Sequence, residues 1–202
     1  MTFFRFALLS VLAVLSFPAP HAAAADLERA RKIVAGRCFL CHGMSGESSS
    51  EVFPRLAAQN ATYLAKQLQD FQSGRRKGST MNDMVAGLTA EDIAALGAFF
   101  AGEKAAPIPP SDVELASVGR YLYLRGNTYS GLAACATCHG SDAHGTESLP
   151  RLAGQQSLYL EGQLRQFDKR TRTNDNAVMH AIAAKLTEFE IKALSEYLAS
   201  VP

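Results

Sequence analysis

Every cysteine of this 202-residue chain falls in one of two copies of a single pentapeptide, Cys38-Phe39-Leu40-Cys41-His42 and Cys135-Ala136-Thr137-Cys138-His139. Cys-x-x-Cys-His is the attachment motif of a c-type haem. The two thiols bond the vinyl groups of one porphyrin, and the adjacent histidine reaches the iron. Two motifs with no cysteine left over predict two covalently bound haem c groups, held through Cys38, Cys41, Cys135 and Cys138, with His42 and His139 as axial ligands. Rival chemistries fit less well. A four-cysteine zinc site places its second pair about 15–20 residues after the first, whereas nearly half the chain separates Cys41 from Cys135. A thioredoxin-like redox pair or a disulfide framework leaves both histidines unexplained.

The amino terminus carries an address. Arg5 is its only early charge, an apolar run extends from Phe6 to Phe17, and Pro18-Ala19-Pro20 leads into the small residues Ala22 to Ala25. Residues 1–25 are therefore expected to be a secretory signal peptide, cleaved before Asp26. The run falls short of the roughly 20 residues of a membrane span. Export to the periplasm fits haem attachment outside the bacterial cytoplasm, and loose association with the outer face of the inner membrane stays open. The chain has 20 Lys and Arg against 19 Asp and Glu, and loss of Arg5 balances them. Such neutrality argues against nucleic acid as a partner, which calls for a strongly basic surface.

Shifted by 96–98 residues, the chain aligns with itself. Pro54-Arg55-Leu56-Ala57-Ala58-Gln59 falls on Pro150-Arg151-Leu152-Ala153-Gly154-Gln155, Tyr63-Leu64 on Tyr159-Leu160, Gln67-Leu68 on Gln163-Leu164, and Phe71 on Phe167. Farther on, Leu88-Thr89 matches Leu186-Thr187, and Ile93, Leu96 and Phe99 match Ile191, Leu194 and Tyr197. This predicts homologous domains over 26–104 and 111–202, joined by the proline-rich linker 105–110, since clustered prolines stop helices and stiffen a connection. The periodicity is helical: Leu64, Leu68 and Phe71, like Leu160, Leu164 and Phe167, share a face at i, i+4, i+7. The last helix of each repeat opens on a cap, Thr89 with Asp92 and Thr187 with Glu190. No stretch alternates with period two. About 80 residues make a marginal core, which a covalently held haem would fill.

The second axial ligand decides the chemistry, and a methionine thioether favours ferrous iron and raises the potential. Met44 follows His42 too closely to reach the opposite haem face. Met179 lies seven residues before Leu186 and Met81 seven before Leu88, while Met84 aligns with Ile182. The repeat selects Met81 and Met179. His180 aligns with Asn82 and reads as a surface residue; His144 reads as a loop residue between Gly140 and Gly145.

With these elements the chain resembles the dihaem cytochrome c4 family. The likeness rests on both Cys-x-x-Cys-His sites, the Pro-Arg-Leu-Ala-x-Gln segments, the Tyr-Leu-x-x-Gln-Leu helices, the Arg172-Thr173-Asn174-Asp175 approach to Met179, and the Ala184-Lys185-Leu186-Thr187 turn. The resemblance implies an all-α fold of two tandem class I cytochrome c domains, each wrapped around one covalent haem and related by an approximate two-fold, haem edges facing. It implies that Pro54 and Pro150 offer their carbonyls to the second nitrogens of His42 and His139, and that Arg55 and Arg151 lie near haem propionates. One departure stands out: Gly119 gives the second domain a small residue for a close helix crossing, where the first offers only Ala30 or Ala35. The implied function is electron transport without catalysis, from a quinol-oxidising complex to a terminal oxidase. The rivals are the cytochrome subunit of a dehydrogenase, such as flavocytochrome sulfide dehydrogenase, and a dihaem peroxidase, which needs one displaceable axial ligand.

Overall fold

Ten α-helices and one π turn make up the regular structure of residues 20–202, the part that this computed structural model describes. The expected leader lies outside the described residues except for its last few, which enter α1. In the first half these are α1 (Pro20–Ile33), a π turn (Val34–Cys38), α2 (Phe39–His42), α3 (Ala61–Gln72), α4 (Met81–Met84) and α5 (Ala90–Ala101). The second half follows with α6 (Val113–Arg125), α7 (Ala136–His139), α8 (Ser157–Asp168), α9 (Val178–Ala183) and α10 (Glu188–Ser200). Among the described residues the only β-type pairing is an isolated bridge between Asn127 and Leu132.

Each half buries one apolar stripe per long helix. In the first, Ala30 and Val34 pack with Leu64, Leu96, Phe99 and Phe100; in the second, Leu122 and Tyr123 pack with Leu160, Leu194 and Leu198. Helices α5 and α10 begin in full capping boxes, Thr89 with Asp92 and Thr187 with Glu190, as their sequences require.

The two halves cross their helices differently. A Cβ on Gly119 would sit 1.9 Å from the carbonyl oxygen of Ala193, so α6 and α10 approach backbone to backbone. In the first half the crossing is made by Ala30, which is fully buried against the core that includes Ala95. The first half also passes from α1 through the π turn directly into its cysteine motif. The second ends α6 at Gly126 and inserts a loop, closed by the Asn127–Leu132 bridge, before Cys135. The linker is not free: Ile108 N–H donates to the Ala199 carbonyl at 2.8 Å.

Candidate haem sites and the seam between them

In both cysteine motifs the first cysteine caps a single turn of helix, α2 or α7, whose last residue is the histidine. His42 and His139 are buried. Nδ1 of His42 lies 2.9 Å from the Pro54 carbonyl oxygen, and Nδ1 of His139 lies 3.4 Å from that of Pro150. A proton on Nδ1 serves that carbonyl and leaves Nε2 bare, the form that ligates a metal. Burial lowers the pKa of both imidazoles, although the proline carbonyls work the other way, so both are held neutral at physiological pH. Burial also raises the Cys38 thiol and pushes Cys135 up to about 11, opposite to the lowered thiol of a thioredoxin-like pair.

The surroundings suit a haem. Leu56, Leu68 and Leu88 flank the core beside Cys38, and Leu152, Ile182 and Leu186 do the same beside Cys135. Arg151 Nε is buried with no hydrogen-bond partner among the described residues. A buried guanidinium N–H of this kind calls for an acceptor, and a haem brings both an apolar macrocycle and carboxylates. Arg55 is placed differently. Its Nε donates to the Glu47 carbonyl at 3.3 Å and its Nη1 to those of Gly154, at 2.6 Å, and Ala106. Only Nη2 is left for a propionate, because the guanidinium is spent on holding the other half and the linker.

Met81 opens α4 and is half-buried, whereas Met84, one turn on, is 39% exposed. Met179 is half-buried on α9, whose start is tied by Asp175: its Oδ2 accepts from the N–H groups of Met179 at 2.7 Å and His180 at 3.2 Å. Arg37 Nη1 reaches the Ala86 carbonyl at 2.9 Å, strapping the segment before Cys38 to the segment behind Met81. Lys185 Nζ reaches the Gly131 carbonyl at 2.7 Å and straps the second half in the reverse direction. The expectation of a surface His180 is corrected: the ring is half-buried, and Nδ1 lies 3.0 Å from the Phe167 carbonyl. Its repeat partner Asn82 makes the same link, Nδ2 to the Phe71 carbonyl at 2.5 Å. Two residue types thus anchor both methionine helices to the end of the preceding long helix. His144 is in an exposed loop, with Nε2 3.0 Å from the Pro202 carbonyl.

The halves meet along a polar seam with two-fold symmetry. Buried Gln155 accepts from Arg55 N–H at 2.7 Å and donates to the Arg55 carbonyl at 2.9 Å; buried Gln59 makes the same pair with Arg151, both at 2.8 Å. Deeper in, Arg76 donates to Gln67 at 2.8 Å and to Tyr159 and Gln163 at 2.9 Å. Arg172 answers with Gln163 at 2.6 Å, Gln67 at 3.0 Å and Tyr63 at 3.1 Å. Each guanidinium lies 4.5 Å from a phenylalanine ring of its own half, Phe71 or Phe167. Burial alone would raise the Tyr159 phenol, but the two guanidiniums outweigh it and lower its pKa. The sequence reading missed these residues as a group. The signal was present in the repeat, where Tyr63, Gln67 and Arg76 are identical to Tyr159, Gln163 and Arg172, polar residues kept in register with apolar ones.

Known proteins resemble this chain in sequence and in overall fold. The cytochrome c profile matches residues 123–202. Cytochrome c4 of Pseudomonas aeruginosa is 36% identical over 195 residues, covering 95% of this chain and 96% of that protein. The chain belongs to the cytochrome c4 family. The crystal structure of reduced recombinant cytochrome c4 from Pseudomonas stutzeri superposes with a TM-score of 0.82 at 34% identity, covering 87% of this chain and 98% of that one. A thiosulfate dehydrogenase electron acceptor of Thiomonas intermedia is 34% identical over 197 residues, 95% of this chain and 91% of that protein. This cytochrome is accordingly an all-α protein of two tandem class I cytochrome c domains, carries covalent haem c, and transfers electrons between redox proteins rather than catalysing a reaction. Among the described residues no helix is long and apolar enough to cross a membrane.

Proposed function

We propose that this cytochrome c4 carries two haems, one per domain, and relays electrons in the periplasm between a quinol-oxidising complex and a terminal oxidase. Domains over 26–104 and 111–202 are joined by the linker 105–110. Cys38 and Cys41 attach the first haem and Cys135 and Cys138 the second, with His42 and Met81, and His139 and Met179, as axial ligands. The observation that carries this reading is the duplicated histidine: in both halves Nδ1 faces a proline carbonyl and Nε2 is left bare. The haems supply reversible one-electron chemistry at iron. The chain's own residues do the rest. Pro54 and Pro150 fix ring orientation and basicity; Arg151 offers a buried N–H to a propionate; Arg55 serves mainly as a cross-brace. The seam of glutamine, tyrosine and arginine side chains holds the domains in one arrangement, which keeps reorganisation small when an electron passes.

A second reading of the donor is favoured by one observation, the likeness over nearly the whole chain to a thiosulfate dehydrogenase electron acceptor. In that reading a sulfur-compound dehydrogenase replaces the quinol-oxidising complex. Mass spectrometry of the exported protein is expected to give the chain without residues 1–25 plus two haems; a mass with one haem, or with zinc, would refute the assignment. Stopped-flow mixing of the reduced protein with membranes containing its terminal oxidase should show fast oxidation, and thiosulfate dehydrogenase should reduce it only if the second reading holds.

A further inference from the structure

The sequence has two basic runs, Arg75-Arg76-Lys77 and Lys169-Arg170-Thr171-Arg172, at equivalent places just beyond α3 and α8. The near-neutral total charge conceals what the approximate two-fold does with them. Arg76 and Arg172 turn into the seam and are buried. Their neighbours Arg75, Lys77 and Arg170 stay exposed and, with Lys66, Thr171 and Thr173, line a cleft of about 780 Å³ contributed by both domains. The single acid lining it is Asp70, whose buried carboxylate is already bonded by Lys66, by Arg75 at 2.8 Å and by Asn174 at 2.7 Å. Lys77 and Arg170 form no ion pair among the described residues. The cleft is left with a surplus of positive charge and the Thr173 hydroxyl, that of Thr171 being given to the Gln166 carbonyl at 3.3 Å.

A second observation is independent of charge. Arg170 has φ +53°, the left-handed conformation that favours glycine, and its repeat counterpart is Gly74, at φ +74°. The first domain uses the residue that the turn prefers. The second holds an arginine there against the steric cost, and that arginine lines the cleft.

We infer that this cleft binds a multiply charged oxyanion of the phosphate type, bridged between Arg75 and Lys77 of the first domain and Arg170 of the second. A planar guanidinium offers paired donors to such an anion and an ammonium a point charge. A ligand held from both sides stabilises the closed seam over the opened one by mass action. It also fastens the two loops that lead to Met81 and Met179.

The test is thermal unfolding of the haem-loaded protein, followed by far-ultraviolet circular dichroism during titration with pyrophosphate, against chloride at matched ionic strength. Pyrophosphate should raise Tm saturably and chloride should not. Arg170→Gly restores the residue that the turn favours, so its Tm in chloride should stay level or rise, yet its pyrophosphate affinity should fall about tenfold, the worth of one charged hydrogen bond. Lys77→Ala should lose affinity comparably. Phosphatidylglycerol vesicles separate the sources of the anion: co-sedimentation competed by pyrophosphate marks a lipid headgroup, and a pyrophosphate effect without co-sedimentation marks a free anion. Equal shifts in chloride and pyrophosphate, or undiminished binding by Arg170→Gly, would overturn the proposal.

Discussion

A histidine that is to take a metal needs one nitrogen occupied and the other bare, and this chain meets that need twice with the same device. The bond from His42 Nδ1 to Pro54, at 2.9 Å, is shorter than that from His139 to Pro150, at 3.4 Å, so the first ring is the more firmly oriented. For the proposed second ligand the choice between Met81 and Met84 is a matter of one helical turn. Burial and the repeat agree on Met81, while Arg37 holds the backbone behind it through the Ala86 carbonyl. Replacing Met81 by alanine should abolish the methionine–iron charge-transfer band of one haem, roughly half the total absorbance if both haems contribute equally. Met84→Ala should leave the band unchanged, as befits a side chain 39% exposed to solvent. The reverse pattern would move the ligand one turn along the chain.

At the scale of elements, α3, α5, α8 and α10 were legible because each carries a stripe of apolar residues at helical spacing, and two of them announce their starts with a local capping box. The one-turn helices were not. Segments such as α2, α4 and α7, of four residues each, are too short for any period to show. The π turn after α1 and the loop after Gly126 also lay beyond periodicity, since they adjust how each first helix reaches its cysteine motif. The haem-motif residues themselves were plain in the sequence, whereas the seam was readable only as polar identities within the repeat. Gly119 is the position where element packing is least forgiving. A methyl group there would overlap the Ala193 carbonyl, so α6 would have to move away from α10. Gly119→Ala should lower the unfolding free energy by about 1–3 kcal/mol, read from the midpoint of urea denaturation. Unchanged stability would mean that the crossing is looser than its geometry.

At the scale of the whole molecule, the seam hydrogen-bonds two small domains to each other, and Asp70 is the charged point on which part of it turns. Its side chain is 1% exposed. Burial alone would raise its pKa, but the bonds from Lys66, Asn174 and Arg75 outweigh this and hold it below the usual carboxylate value. Asn174 belongs to the other domain, so the ionised carboxylate joins the two. The sign follows from linkage. A carboxyl with a depressed folded pKa contributes its full stability above the unfolded value of about 3.9, and loses it as the pH falls through the lower folded value. Asp70→Asn should therefore lower Tm at pH 7, and the gap between wild type and variant should close progressively below about pH 4. Other carboxylates, among them the cap of α5, Asp92 with its Arg29 partner, titrate in the same range, but they are common to both proteins and cancel in the difference. Thermal melts of the haem-loaded pair between pH 7 and pH 3 measure that gap directly. A gap that stayed constant with pH would assign the loss to packing and remove the charge of Asp70 from the account of how the domains are held together.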